Sequence, residues 1–334
     1  MSALIGGYDG AFFDLDGVIY VGPQAVEGAA DALAALVARG VHLMYVTNNA
    51  ARDVHTVIDH LTSLGFPADA STVLTSAQVG AVELARALPS GAKVLVAGSR
   101  NLVDLIAAAG LTPVASADDD PIAVIQGYDP TMGWPLLDEA CLAIQRGARW
   151  YATNDDQSRP TERGLVLGVG AMIAAIATMV GGEPATFGKP FRPMLDEAVR
   201  RSGASRPIFV GDRLDTDVIG ANRAGIDSLL VFSGAHGKAD LVAADPAHRP
   251  TFIGADVRAL LEPARVARLT DASSSCGDVT ATLRAGEVEL SAVPQALAGQ
   301  LDALWAVATL AWRQADAGRP IDFGRALTAL PAVQ

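Results

Sequence analysis

Basic residues are scarce in this chain: 25 Lys and Arg stand against 37 Asp and Glu, a formal net charge of −12. Binding to nucleic acid needs clustered Lys and Arg that displace counterions, so such a partner is not expected. An anionic substrate would have to be drawn in by a local feature, because the overall field repels it. Cysteine is nearly missing. Cys141 and Cys276 lie far apart in no metal-like or CxxC spacing, which excludes a disulfide framework and leaves two free thiols, as in a reducing, cytoplasmic compartment. Aromatic residues make up only 5%, which with plentiful alanine suits a helix-rich α/β protein. The opening "MSALIGGYDG" has neither a basic stretch nor a long apolar one, so a secretory leader is not expected. Long uncharged runs are also few. The one that raises a membrane question is "GLVLGVGAMIAAIATMVGG" (164–182). Glycines crowd both its ends, leaving a helix over about 170–180, roughly 16 Å long against a hydrocarbon core of about 30 Å. A buried helix on a sheet is the reading, and no membrane partner is expected.

What the chain does have is an alternation of short apolar runs and helical patterns. In the N-terminal third the runs are "AFFDLD", "VHLMYVT" (41–47) and "KVLVAG" (93–98), with alanine-rich segments such as 25–40 between them. The rhythm returns in "RPIFVGD" (206–212), "DTDVIGANRAG" (215–225) and "DSLLVFSG" (227–234). Strands separated by helices of this length imply βαβ units and a parallel sheet. The middle region, about 77–185, carries strand and helix signals of its own and reads as an inserted domain. Beyond 264 the pattern changes to a polar, linker-like "TDASSSCGDVT", a strand-like "ATLRAGEVEL", and an amphipathic helix or helix pair in "PQALAGQLDALWAVATLAWRQADAG".

Ligands bind beside the carboxyl ends of strands in open parallel sheets. Asp14, Asp16, Thr47, Asn48 and Asp212 each fall at such an end. Ionised carboxylates are costly beside a core as apolar as "AFF". Two aspartates two residues apart repel unless a cation binds them or one stays protonated. A hard divalent ion such as Mg²⁺, which prefers oxygen ligands, resolves this. "VGDRLDTD" (210–217) adds Asp212, Asp215 and Asp217 from a second strand end, completing an acidic cup. Such a cup with its metal attracts phosphate oxygens.

"DLDGVIY", "VTNNAAR", "FGKP" and "VGDRLDTDVIGANRAG" resemble motifs one to four of the haloacid dehalogenase (HAD) superfamily, in that family's order. The insertion between the second and third, with "GYDP" and "ATNDDQSRPTERGLVLGVGAM", resembles the cap of its NagD-like, p-nitrophenyl-phosphatase-like branch. The resemblance covers roughly 8–262. It implies an α/β fold with a doubly wound, Rossmann-like parallel-sheet core at 1–76 and 186–264. A C2-type α/β cap at 77–185 would select the substrate, and 265–334 would be a C-terminal extension of unassigned role.

Residue by residue, the resemblance implies that Asp14 is the nucleophile, forming an aspartyl-phosphate. Asp16 would be the general acid and then the base, contributing to the metal through its backbone carbonyl. Gly17 would let the chain turn sharply. Thr47 and Asn48 would bind phosphoryl oxygens, and Lys189 would place a positive charge on the transferring group. Asp14, Asp16 and Asp212 would hold Mg²⁺, with Asp217 behind them orienting a bound water or Lys189; Asp215 reads as a solvated acid. Thr47, Asn48 and Asn49 could instead cap the helix that follows. The substrate expected is a small phosphorylated metabolite, glycerol 3-phosphate or phosphoglycolate first. Pyridoxal phosphate, nucleotide monophosphates, and phosphotransfer through the same intermediate are the alternatives. Arg100, Arg149 and Arg163 are candidate readers in the cap. "GVGAMIAA" lacks the strand and the acid of a dinucleotide fingerprint and reads as a tight helix start. His236 reads as a loop residue. Leu304, Trp305, Val307, Leu310 and Trp312 read as a stripe packed on the core, with a homodimer contact as the alternative.

Overall fold

The computed structural model describes residues 2–161, 163–319 and 321–333. The chain divides into two compact units, one of residues 1–43 with 204–334 and the other of 44–203. Parallel sheets with helices make it an α/β protein with a Rossmann-like core.

In the first unit, the strands Gly10–Phe13, Pro207–Gly211, Asp227–Val231 and Phe252–Gly254 pair in parallel, in that spatial order. Their interiors are buried throughout, which is why they read in the sequence as continuous apolar runs rather than alternating ones. Phe12 faces Phe209 and Phe13 faces Val210 in register. This pairing brings the chain ends just past Phe13 and Gly211 together, and the Asp14 N–H donates to the Val210 carbonyl at 2.9 Å. After Gly211 the chain enters a widened, π-type turn, Leu214–Val218, before the helix Ile219–Ala224. Single turns of this kind recur at functional sites.

The extension belongs to this unit. Strands Arg268–Leu269, Ser273–Cys276, Val279–Arg284 and Glu287–Leu290 form an antiparallel sheet. One helix, Leu297–Asp316, lies across it and packs against the short helix Lys238–Ala243. The polar stretch expected as a linker is a strand: Ser274 and Cys276 point inward along it, and the Ser274 hydroxyl is satisfied by Thr309 at 2.8 Å. Polar composition hid the strand because the side chain packed beneath it is a threonine hydroxyl. The apolar stripe Leu304, Trp305, Val307, Leu310 and Trp312 is buried with Leu230, Leu241 and Ile253 in one core; Trp305 and Trp312 meet edge to face at 5.5 Å.

In the second unit, His42–Thr47 (whose first two residues fall in the first unit) pairs in parallel with Val73–Thr75. A separate five-stranded parallel sheet has the order Ala185–Thr186, Arg149–Ala152, Ala123–Gln126, Lys93–Ala97, Thr112–Val114. The helix expected over about 170–180 is Val169–Val180, but it is not buried throughout: Val169, Ile173 and Ile176 face the core while Met179 is 68% exposed, because only one side of the helix meets the sheet. Its glycines are required by a close approach: a Cβ on Gly170 would sit 2.5 Å from the Gln157 amide and 2.9 Å from the Asp155 carbonyl carbon. Among the described residues, no helix is long and apolar enough to cross a membrane.

Candidate active site

The acids gather at the carboxyl ends of two neighbouring strands of the first unit, Gly10–Phe13 and Pro207–Gly211. Asp14, Asp212 and Asp217 each offer a carboxylate oxygen, all within 4.8 Å of one another. Asp212 and Asp217 are buried, 3% and 1% exposed, and Asp14 is partly buried. Two oxygens on one Mg²⁺ or Ca²⁺ lie at most about 4–5 Å apart, given bond lengths of about 2.0–2.6 Å. An all-oxygen set of this span therefore fits a hard divalent cation. Glycines make the room. A Cβ on Gly211 would come 2.5 Å from the Asp217 Cγ, and one on Gly17 would come 2.7 Å from the Asp212 Cγ. Gly17 has φ +87°, a conformation that side chains resist. Its N–H closes the turn onto the Tyr20 carbonyl at 2.8 Å.

Backbone donors fix the acids. The Ala235 N–H donates to Asp212 Oδ2 at 2.6 Å and the Arg213 N–H to Asp217 Oδ2 at 3.1 Å. Asp16 lies at the exposed side of the turn. Asp215 stands apart from the cluster, half exposed and paired with Arg213 at 2.7 Å, a surface pair worth about 0–1 kcal/mol. A cavity of about 560 Å³ in this unit lies at the other, amino ends of the strands and is lined by Tyr8, Arg206, Asp227 and Phe252 among others. Burial and a 2.7 Å bond donated to Asp227 push the Tyr8 hydroxyl above its usual range.

The second unit holds the remaining expected residues around Asn48. The Asn48 amide donates to the Lys189 carbonyl at 2.9 Å and to Asp156 at 3.1 Å, and its oxygen accepts the Lys189 N–H at 2.8 Å. Asn154 and Ser76 both donate to the Asn48 carbonyl at 2.7 Å. The Thr47 hydroxyl accepts from the Asn49 N–H at 3.1 Å. Thr47, Asn48 and Lys189 are all buried. Asn48's side chain therefore holds the Lys189 backbone rather than standing open as a donor. The helix Val54–Ser63 is capped by Asp53, so Thr47–Asn49 are not its cap. A cavity of about 300 Å³ in this unit is lined by Tyr128, Met132, Arg159, Val166 and Met172 among others. The Arg159 guanidinium lies over the Tyr128 ring at 4.7 Å. Its Nε is buried with no hydrogen-bond partner among the described residues. Arg100 is instead a surface residue paired with Asp104 at 2.9 Å, and neither Arg149 nor Arg163 lines the cavity.

Sequence reasoning missed Arg159, Gly234 and the bonding of His236. The first sits in a run quoted only for its resemblance. Nothing in a sequence marks a loop glycine as the neighbour of a distant carboxylate.

A parallel α/β sheet with an all-oxygen acidic cluster at its carboxyl edge suits a hard divalent cation. A profile described as haloacid dehalogenase-like hydrolase matches residues 11–112, and one described as HAD-hydrolase-like matches 186–260. The chain belongs to this family, in its NagD-like, p-nitrophenyl-phosphatase-like branch, and is a magnesium-dependent phosphoric monoester hydrolase. It is 44% identical over 266 residues to a D-glycerol 3-phosphate phosphatase of Mycobacterium tuberculosis, covering 80% of this chain and 74% of that one. It is 34% identical to a 5'-nucleotidase of Bacillus subtilis, covering 68% of this chain and 88% of that one. A glycerol phosphate phosphatase from M. tuberculosis, solved with magnesium, superposes with a TM-score of 0.87 at 38% identity, over 99% of this chain and 98% of that one. A p-nitrophenyl phosphatase from Archaeoglobus fulgidus gives 0.71 at 28%, over 76% of this chain and 98% of its own.

Proposed function

We propose that the enzyme hydrolyses glycerol 3-phosphate through an aspartyl-phosphate. The observation that carries the substrate is the 44% identity to a glycerol 3-phosphate phosphatase, supported by the cavity around Arg159, whose buried Nε calls for an acceptor such as a polyol hydroxyl. Asp14 and Asp212 would hold Mg²⁺, with the Asp16 carbonyl as a further ligand. Asp217, expected from the sequence to stand behind them, would be a ligand too, a reading supported by its carboxylate lying within 4.8 Å of theirs. The ion would neutralise phosphate charge. An Asp14 carboxylate oxygen attacks phosphorus and the P–O bond to the alcohol breaks. Asp16 gives its proton to the departing alkoxide, then takes one from the water that hydrolyses the aspartyl-phosphate and releases inorganic phosphate. Lys189, set by Asn48, stabilises the transferring group, and Thr47 contributes its hydroxyl. Residues 77–185 act as the cap that selects the substrate, a role supported by that region's own sheet and core. A cytoplasmic location is supported by the two free thiols.

Phosphate release from a panel of esters, with Mg²⁺ or EDTA, tests this. Magnesium-dependent release strongest on glycerol 3-phosphate is expected. Preference for phosphoglycolate, pyridoxal phosphate or a nucleoside monophosphate would overturn the substrate. Release only when an acceptor alcohol is added would overturn hydrolysis.

A further inference from the structure

Asp212 takes its side-chain hydrogen bond from a loop that follows a different strand. That loop, 233–237, connects Asp227–Val231 to the helix Lys238–Ala243. Besides the Ala235 N–H on Asp212 Oδ2, the His236 N–H donates to the Asp212 carbonyl at 3.2 Å. His236 Nδ1 accepts the Leu214 N–H at 2.8 Å, which leaves the ring proton on Nε2. The Ser233 hydroxyl donates to the Gly17 carbonyl at 2.7 Å. Four bonds thus tie one loop to both halves of the acidic cluster, to the Gly17 turn and to the Asp212 backbone and carboxylate.

What holds the loop is the far end of the chain. Lys238, the first residue of the helix after the loop, donates through Nζ to the carbonyls of Leu330 at 2.6 Å and Val333 at 2.7 Å. Both lie beyond the short helix Gly324–Thr328, outside regular structure, where a backbone carbonyl has to find a partner other than a helix or sheet N–H. Leu330 and Val333 are buried, 0% and 2% exposed, in one core with Leu241 and Val242 of the loop's own helix. The segment is held on its other side by Gln300, whose oxygen accepts the Ala332 N–H at 2.8 Å. The Trp312 indole donates to the Leu241 carbonyl at 3.1 Å, fixing the same helix further along.

We infer that Lys238 is a positioning residue for the metal centre: it fastens the loop 233–237 to the C-terminal carbonyls of Leu330 and Val333 and so holds Asp212 where it ligates. This gives the extension a job in the reaction without contact with substrate. It rests on the acidic cluster as the metal site and is independent of which ester is hydrolysed. The test is Lys238→Met in the full chain. It keeps the aliphatic packing and removes the donor. Binding of Mn²⁺ is measured by electron paramagnetic resonance and of Mg²⁺ by calorimetry, both without substrate, alongside the Tm and the KM at saturating metal. About 5–10-fold weaker binding of both ions is expected, with KM changed less than twofold and partial recovery in Lys238→Arg. A control, Val288→Ala, empties core volume in the extension's sheet; it lowers Tm and leaves metal binding unchanged. Wild-type metal affinity in a folded Lys238→Met would overturn the inference. Should that variant not fold, Gln300→Leu carries the test by loosening the tail from its other side, with a two- to threefold loss expected and an unchanged affinity refuting it. If the wild-type enzyme bound both ions but released phosphate from none of the esters, the proposed function would fail and this inference would still stand or fall on the metal affinity of Lys238→Met.

Discussion

Gly234→Ala adds a single methyl group at the place where the metal site has least room. The new Cβ would lie 2.6 Å from the Asp212 Cβ and 2.5 Å from its Cγ, and closer still to Oδ2, where ordinary contact is 3.4–4 Å. Movement of about 1 Å is therefore unavoidable. It cannot be taken up by the carboxylate tip alone, since the Asp212 Cβ is also too close. On its other side Asp212 meets Gly17, whose own added Cβ would lie 2.7 Å from the Asp212 Cγ. The shift thus passes to the aspartate or to the loop that bonds it through Ala235. Overpacking of this kind costs about 1–3 kcal/mol of stability, and a 1 Å misplacement in a catalytic constellation costs on the order of 10²-fold in rate. The assay is phosphate release as a function of Mg²⁺, with thermal unfolding in parallel. The Mg²⁺ activation constant should rise and kcat should fall by about 100-fold, against a loss of stability too small to unfold the enzyme. If Gly234→Ala kept kcat and its Mg²⁺ dependence within twofold of the wild type, the placement of Asp212 as a ligand tightly bounded by two glycines would be refuted.

Asn48→Leu removes both bonds to the Lys189 backbone and the one to Asp156, leaving buried groups unsatisfied at about 1–3 kcal/mol each. Urea unfolding should show a loss of about 3–5 kcal/mol, and kcat should fall more than KM rises; unchanged stability would refute the positioning role. Glu197 bears on pH. Burial raises its pKa, but hydrogen bonds from Arg200 and Arg201 outweigh this and hold it below its ordinary 4.5. A depressed carboxylate stabilises the fold above the unfolded value and loses that contribution as pH falls through the folded one. Glu197→Gln should therefore be less stable than the wild type by about 2 kcal/mol at pH 7, and the gap should narrow below about pH 4; a gap of constant size would refute the assignment.

Much of the core was legible because parallel strands covered on both faces must be apolar throughout, and each then ends where a polar site begins. "AFFDLD" and "IFVGD" carry that message in five or six residues, and Asp14 and Asp212 follow from it with no comparison to any other protein. Asp215 was not separable from Asp217 by the residues alone, which put both in one acidic cup; only the resemblance set it apart, and the structure pairs it with Arg213 at the surface. The resemblance to the HAD motifs added Lys189, which composition alone would have left among the surface lysines.

The unread part has a common physical origin: interactions in which a side chain meets a remote backbone. Asn48 looked like a donor for substrate because asparagine has two N–H groups, yet both go to Lys189 and Asp156, a fact fixed by a loop more than a hundred residues away. The strand Ser273–Cys276 was hidden by the same logic. Its inward serine pairs with a threonine on a helix not yet built at that point of the chain. Periodicity reports only what a segment does to water, and it is silent when a buried polar group finds its partner by tertiary contact. The extension is the extreme case. Its helix was readable as something that packs, but Lys238 donating to the carbonyls of Leu330 and Val333 leaves no trace in either segment, although it ties them to the loop whose Ala235 N–H bonds the Asp212 carboxylate.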